Sequence, residues 1–224
     1  GGSYSGPGIV NGVFNPSAAG VGTHTVYYTL TSTNGCVSMD SATITVLAEP
    51  VVAFQLPNNT LCNNGTAEIL SGGFPAGGTY SGSGVSNGYF LPSQAGIGTH
   101  IITYTFNNAN GCSATAVDTI TVVAPTPSTM AAIGPFCIND GAIALTGGSP
   151  AGGTYSGLGV NNNTLYPGIA GSGTRLITYT YVDSNGCTST SNTVYTIYNK
   201  PNTATYDLFP ICENEPPLAL ANAT

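Results

Sequence analysis

Charge is what this chain has least of. Only 5% of its 224 residues are charged, with one lysine (Lys200) and one arginine (Arg175) against nine acids, for a net charge of −7. Nucleic-acid binding needs clustered Lys and Arg to neutralise phosphates, so that class of partner is excluded. A single lysine also excludes a Lys–Asn isopeptide staple recurring along the chain. Long apolar runs are missing too: none reaches 18 residues, so no segment is expected to span a membrane as a helix. No secretory signal is visible. There is no Cys-x-x-Cys pair of the kind zinc needs, and the acids do not cluster as a calcium loop requires. No Ser-His-Asp set recurs. No catalytic, metal-binding or cofactor-binding residue is therefore assigned.

What is present is repetition. Gly77–Cys112 reads GGTYSGSGVSNGYFLPSQAGIGTHIITYTFNNANGC. The same pattern runs over Gly1–Cys36 and Gly152–Cys187, so the period is 76 and then 75 residues. A unit of about 75 residues buries only about 60% of its unfolded surface and is marginal alone, so neighbours or cross-links are expected to support it. Abundant Gly, Pro, Ser and Thr could mean disorder. Against that, 41% of residues are apolar and they alternate.

The complete middle unit yields a strand plan. Strands are expected at Pro50–Leu56, Thr66–Leu70, Gly78–Ser81, Gly88–Leu91, Thr99–Phe106 and Ala116–Val123. A turn is expected around Cys62, a loop at SQAGIG and a hairpin turn at Asn110-Gly111. The strongest strand alternates with period two, placing Ile102, Tyr104 and Phe106 on the core face. The matching sets are Val26, Tyr28 and Leu30 in the first unit, and Ile177, Tyr179 and Tyr181 in the third. Short strands punctuated every 8–12 residues by turn signals predict an all-β fold of tandem immunoglobulin-like β-sandwich repeats. The expected division is a partial repeat at 1–48 lacking its first strands, complete repeats at 49–123 and 124–198, and the start of a further repeat at 199–224. Prolines at 125, 127 and 201 mark stiff, short junctions, which predict a semi-rigid rod. Cys212–Thr224 followed by Gly1 would nearly complete a unit, so the stretch is expected to be a window onto a longer array.

The six cysteines form two sets. Cys36, Cys112 and Cys187 follow an Asn-Gly turn; Cys62, Cys137 and Cys212 precede an apolar strand. Their even count and regular spacing predict disulfides and an oxidising compartment. Pairing within a unit (Cys62–Cys112, Cys137–Cys187) would bridge opposite ends of a sandwich, whereas a disulfide needs Cα atoms about 4.4–6.8 Å apart. Head-to-tail stacking favours Cys62–Cys187 across a junction, leaving Cys36, Cys112, Cys137 and Cys212 to partners outside the stretch. Both arrangements remain open at this point.

Other positions invite a functional reading. His24 and His100 match each other, and Arg175 replaces them in the third unit, which suits a rim position better than a metal ligand. Tyr4, Tyr80 and Tyr155 of the (S/T)YSG motif could stack on sugars, but packing between sheets accounts for them more simply. GGTYSGSG has neither the following helix nor the lysine of a phosphate loop. Tyr195, Tyr198 and Tyr206 near the third junction are candidates for a glycan-binding cluster.

The motifs GGTYSGxGV, FxPxxAGxGT, ITYTYxxxNGC and TITV together resemble tandem immunoglobulin-like or PKD-like repeats of giant cell-surface proteins of Bacteroidota. That group is exported by type IX secretion and includes gliding-motility adhesins of the SprB kind. The resemblance covers the whole stretch. It implies an extracellular, cell-surface location and supplies no catalytic residues. Asp40-Ser41-Ala42 and Asp118-Thr119-Ile120 resemble the Asp-(Ser/Thr)-apolar acceptor of O-glycosylation in those bacteria, which makes Ser41 and Thr119 candidate sites. Asn192-Thr193-Val194 lacks the acid. The expected function is a non-catalytic structural array forming an adhesin stalk or surface filament, with further copies of the repeat as partners. The alternatives are a module that binds glycans or other cells, and accessory domains of a larger secreted enzyme.

Overall fold

The structure is a computed structural model and describes residues 1–201 and Glu213. The expected further repeat at 199–224, with Tyr206 and Cys212, lies almost wholly outside the described residues. The fold is all-β, built from immunoglobulin-like sandwich repeats. The chain divides into two compact units, Gly1–Ala124 and the part from Pro125 onward.

The second repeat shows the plan. A long hairpin of Gly98–Asn107 and Ser113–Val123 pairs over its full length, from Gly98 opposite Val122 to Asn107 opposite Ser113. Thr79–Ser81 adds antiparallel to one side, and Thr60–Cys62 adds parallel to the other, completing a four-stranded sheet. Facing it are a three-stranded sheet (Val85–Ser86, Tyr89–Phe90, Glu68–Ile69) and the pair Ala53–Phe54 with Gly73–Phe74. The third repeat has the same arrangement, with Gly173–Val182 and Thr188–Tyr198 as its hairpin.

Alternation along the hairpin drives this layering. Ile102 and Ile120 point inward with Leu56, Leu70, Phe90 and Val122 to form one core, and Leu145, Leu165, Ile177, Tyr195 and Ile197 form its counterpart. Each fully buried Phe or Ile contributes about 1.5–3 kcal/mol. Tyr104 and Tyr179 hold the edge of each core. The Tyr104 hydroxyl accepts the Gly78 N–H at 2.7 Å and donates to the Pro75 carbonyl, and Tyr179 does the same with Gly153 and Pro150. A Cβ on Gly73 or Gly78 would meet the Tyr104 ring at 2.5 or 2.4 Å, so the close approach requires glycine there.

Several elements differ from expectation. Only Ala53–Phe54 of the expected first strand pairs as a strand, because the Leu56 N–H turns to the Asp118 carboxylate at 2.8 Å instead of a backbone carbonyl. Cys62 ends a short strand, and the turn follows it, closed by Gly65 N–H to Cys62 carbonyl at 2.9 Å. The SQAGIG loop opens with one helical turn, Pro92–Ala95, where proline at the first position pre-sets φ. In the first repeat Val26 is buried, but Tyr28 and Leu30 are exposed: Ser3–Ser5 extends the hairpin's sheet, and the pair Ile9–Val10 with Val13–Phe14 is all the remaining strand structure of that repeat.

Candidate functional site: the two ends of each repeat

The tip of each long hairpin is a three-residue loop rather than the expected two-residue turn. In the second repeat Asn108 N–H donates to the Cys112 carbonyl and Gly111 N–H to the Asn108 carbonyl. Gly111 sits at φ 81°, the left-handed position that closes such loops. The residue just before the loop also accepts the N–H of the cysteine through its side chain: Ser32 for Cys36, Asn108 for Cys112 and Asp183 for Cys187.

In the second and third repeats that residue reaches the incoming linker as well. Asn108 Nδ2 donates to the Ala48 carbonyl at 3.5 Å. Asp183 does more: its Oδ2 accepts the Thr126 N–H at 2.9 Å and the Thr126 hydroxyl at 3.2 Å. The Thr126 N–H is the main reason its carboxyl is held below the usual carboxylate range. Burial works against this, and the Cys187 and Asn185 N–H groups reinforce it.

The other cysteine set lies at the opposite end. Cys62 pairs beside Val123, and Cys137 beside Tyr198, the last residues of their hairpins. From Cys112 to the end of its strand at Val123 is about 36 Å of extended chain, far beyond disulfide reach. Cys62 and Cys187 are each disulfide-bonded. Cys36, Cys112 and Cys137 carry free thiols, so the two bridges of the within-repeat scheme are not formed.

No family profile and no curated protein matches the chain. Among solved structures it is similar to a Ca2+-stabilised adhesin with which an Antarctic bacterium reaches out and binds ice (16% identity, TM-score 0.36), covering 82% of this chain and 59% of that one. It is also similar to immunoglobulin domains 1–4 of Sidekick-1 (12%, 0.25; 78% and 58% covered) and to protocadherin gammaB7 EC3–6 in a cis-dimer structure (12%, 0.24; 95% and 70%). The chain thus spans about three-fifths of the length of the first two. These likenesses are distant, and no property of those proteins passes to this chain through them.

The remaining candidates separate. His24 and His100 each donate through Nε2 to the carbonyl at the end of the preceding helical turn, Gly20 at 2.8 Å and Gly96 at 2.9 Å. Arg175 spreads over three carbonyls, Ala170, Ser172 and Thr174. All three residues satisfy backbone carbonyls where the helical turn gives way to the strand. Among the described residues no group of three or more His, Cys, Asp or Glu could hold a metal ion, and no helix is long and apolar enough to cross a membrane. Two of the motif tyrosines pack against a core, Tyr80 with its ring 4.9 Å from that of Tyr104 and Tyr155 4.8 Å from Tyr179, whereas Tyr4 is exposed beside Tyr28. Tyr195 is buried, and burial pushes its phenol up. Tyr198 is exposed, so the two do not form one aromatic platform.

Thr119 and Ser41 are both exposed, each preceded by an acid whose carboxylate accepts the N–H of that residue at 2.8 Å. They are not equivalent, because the 76-residue period sets Thr43, not Ser41, against Thr119. Thr193 takes the register of Asp118. The junction role of Asn108 and Asp183 escaped sequence reasoning. Its one signal was a polar residue four before each hairpin cysteine.

Proposed function

We propose that this chain is a section of an extracellular, non-catalytic structural array, the stalk of a surface adhesin or a surface filament. The observation that carries the reading is the placing of cysteines at opposite ends of a repeat, with Cys62 and Cys187 bonded while Cys36, Cys112 and Cys137 stay free. In this reading Cys62 and Cys187 bond each other across the boundary between the second and third repeats. The units of span are 1–48, 49–123, 124–198 and the sequence from 199. Disulfides suit an oxidising, extracellular setting. The distinctive polar side chains support the same view, since the histidines, Arg175, Asp183 and the buried tyrosine hydroxyls bind the chain's own backbone. Ser41 and Thr119 as O-glycan acceptors, type IX export in Bacteroidota and attachment at the cell surface belong to the reading through the sequence resemblance. Further copies of the repeat are its partners.

Stretching single molecules tests it. A Cys62–Cys187 bond shields 125 residue steps, so reduction should add roughly 400–450 Å to the fully extended length. If reductant leaves that length unchanged, and non-reducing peptide mapping finds no Cys62–Cys187 peptide, the cross-linked array is wrong.

A further inference from the structure

The third repeat ties down the end of its helical turn with a permanent positive charge. Arg175 donates from Nε to the Ala170 carbonyl at 2.9 Å, from Nη2 to that of Ser172 at 2.6 Å and from Nη1 to that of Thr174 at 3.0 Å. A guanidinium stays protonated in proteins. Three carbonyl oxygens, on every second residue, thus converge on one unit of positive charge. The guanidinium nitrogens Nη2 and Nη1 stand 3.4 Å and 3.1 Å from where a Cβ on Gly171 and Gly173 would sit.

The backbone repeats itself 75 residues earlier. Pro92–Ala95 is a helical turn like Pro167–Ala170, and Gly96 N–H closes on the Pro92 carbonyl as Gly171 N–H closes on that of Pro167, both at 3.0 Å. Gly96 has φ 83° and ψ 172°, and Gly171 has φ 72° and ψ 165°. The carbonyls that match Ala170, Ser172 and Thr174 belong to Ala95, Ile97 and Thr99. His100 stands where Arg175 does, but its ring serves a different oxygen: Nε2 meets the Gly96 carbonyl at 2.9 Å. Apart from chain neighbours, no described atom lies within 4 Å of a Cβ built on Gly96 or Gly98, where the third repeat places its guanidinium nitrogens. The first repeat is built alike, with the carbonyls of Ala19, Val21 and Thr23 in register and His24 on the Gly20 carbonyl at 2.8 Å.

The chain has no second arginine to bring charge to these oxygens. The acids of the second repeat are engaged or placed elsewhere. Asp118 accepts from Leu56 and Thr119, and Glu68 from Asn58. Glu49 follows Ala48, which meets Asn108 at the hairpin tip, the far end of the repeat. Neutral carbonyl oxygens without a carboxylate suit a singly charged hard cation better than Ca2+, whose sites use carboxylates. Carbonyl oxygens hold potassium by replacing its hydration shell.

We infer that the carbonyls of Ala95, Ile97 and Thr99, and likewise those of Ala19, Val21 and Thr23, bind a monovalent alkali cation, for which the Arg175 guanidinium is the third repeat's tethered substitute. The histidine ring is not a ligand. It holds the neighbouring carbonyl and leaves the other three to the ion. The inference stands apart from the array reading, since each site is one helical turn and one strand start within a single repeat.

The test uses the full chain. Crystals soaked in thallium(I) acetate, a potassium mimic that scatters anomalously, should show a peak within coordination distance of the Ala95, Ile97 and Thr99 carbonyls. A second peak should mark the first repeat, and none should appear beside Arg175. His100→Arg should erase the second-repeat peak and keep the first. Arg175→Ala should gain a peak in the third repeat. Thermal melts in potassium chloride, set against the same concentration of N-methylglucamine chloride, separate a bound ion from ionic strength. A cation at ten times its dissociation constant favours the folded form about elevenfold, so the parent's midpoint should rise in potassium. The double variant His24→Arg with His100→Arg should lose that rise. Because Arg175→Ala could loosen the third repeat, this double variant, which imports the third repeat's own arrangement, carries the decision. Absent peaks, a rise that the double variant keeps, or peaks without a potassium-specific rise (an adventitious ion only) would each overturn the inference.

Discussion

Asp183 occupies a place where the other repeats carry uncharged groups, Ser32 and Asn108. Its carboxylate is the acceptor for both Thr126 donors, which lowers its pKa in the fold. A depressed carboxyl stabilises the fold fully above its unfolded pKa of about 3.9, and that contribution drains away as pH falls through the folded value. Asp183→Asn should therefore lower the thermal midpoint at neutral pH, since an amide N–H would face the Thr126 N–H. It should also flatten the loss of stability on acidification below pH about 4. Thermal melts of both proteins across pH check this. A second residue-scale prediction concerns Ser191, whose buried hydroxyl has no partner among the described residues and whose counterpart is Ala116. Ser191→Ala should raise stability by about 1 kcal/mol, the desolvation cost removed, as read from denaturant unfolding. The rim role of the histidines was legible because arginine replaces them, and a metal ligand would not be so exchanged. Asp183 was not legible, because its partner Thr126 is 57 residues away and no local pattern links them.

Elements follow the same division. The long hairpins were readable to within three residues at each end, because ten or more alternating positions outweigh any turn signal. The strands of two or three residues were not. Ala53–Phe54 sits in a longer apolar run whose remaining N–H groups go elsewhere, and Thr60–Cys62 is set in asparagines that read as turn. The single helical turns were missed because four residues leave no period to detect. Each is closed from the following strand by His24, His100 or Arg175. Arg175→Ala releases three carbonyls and should cost about 1–2 kcal/mol, given the partial solvent access. His100→Arg, which imports the third repeat's solution, should be close to neutral. Unfolding midpoints of the two variants, compared with the parent, decide the point.

At the scale of the whole molecule the period was legible and the chemistry was not. A step of 75 or 76 residues fixes which positions correspond, and equivalent residues of the second and third repeats do take equivalent places in the structure. No spacing reveals which cysteines are bonded, since that depends on which ends meet in space. The buried tyrosine pairs carry one last consequence. The chain has no tryptophan, so its ultraviolet emission comes from tyrosine, and among the described residues the rings most sealed from water are Tyr104 and Tyr179, one in the second repeat and one in the third. Each sits against a neighbouring ring with its hydroxyl tied to the backbone. Loosening either repeat would change that ring's glow before anything else in the molecule, so the protein comes with two optical strain gauges already installed.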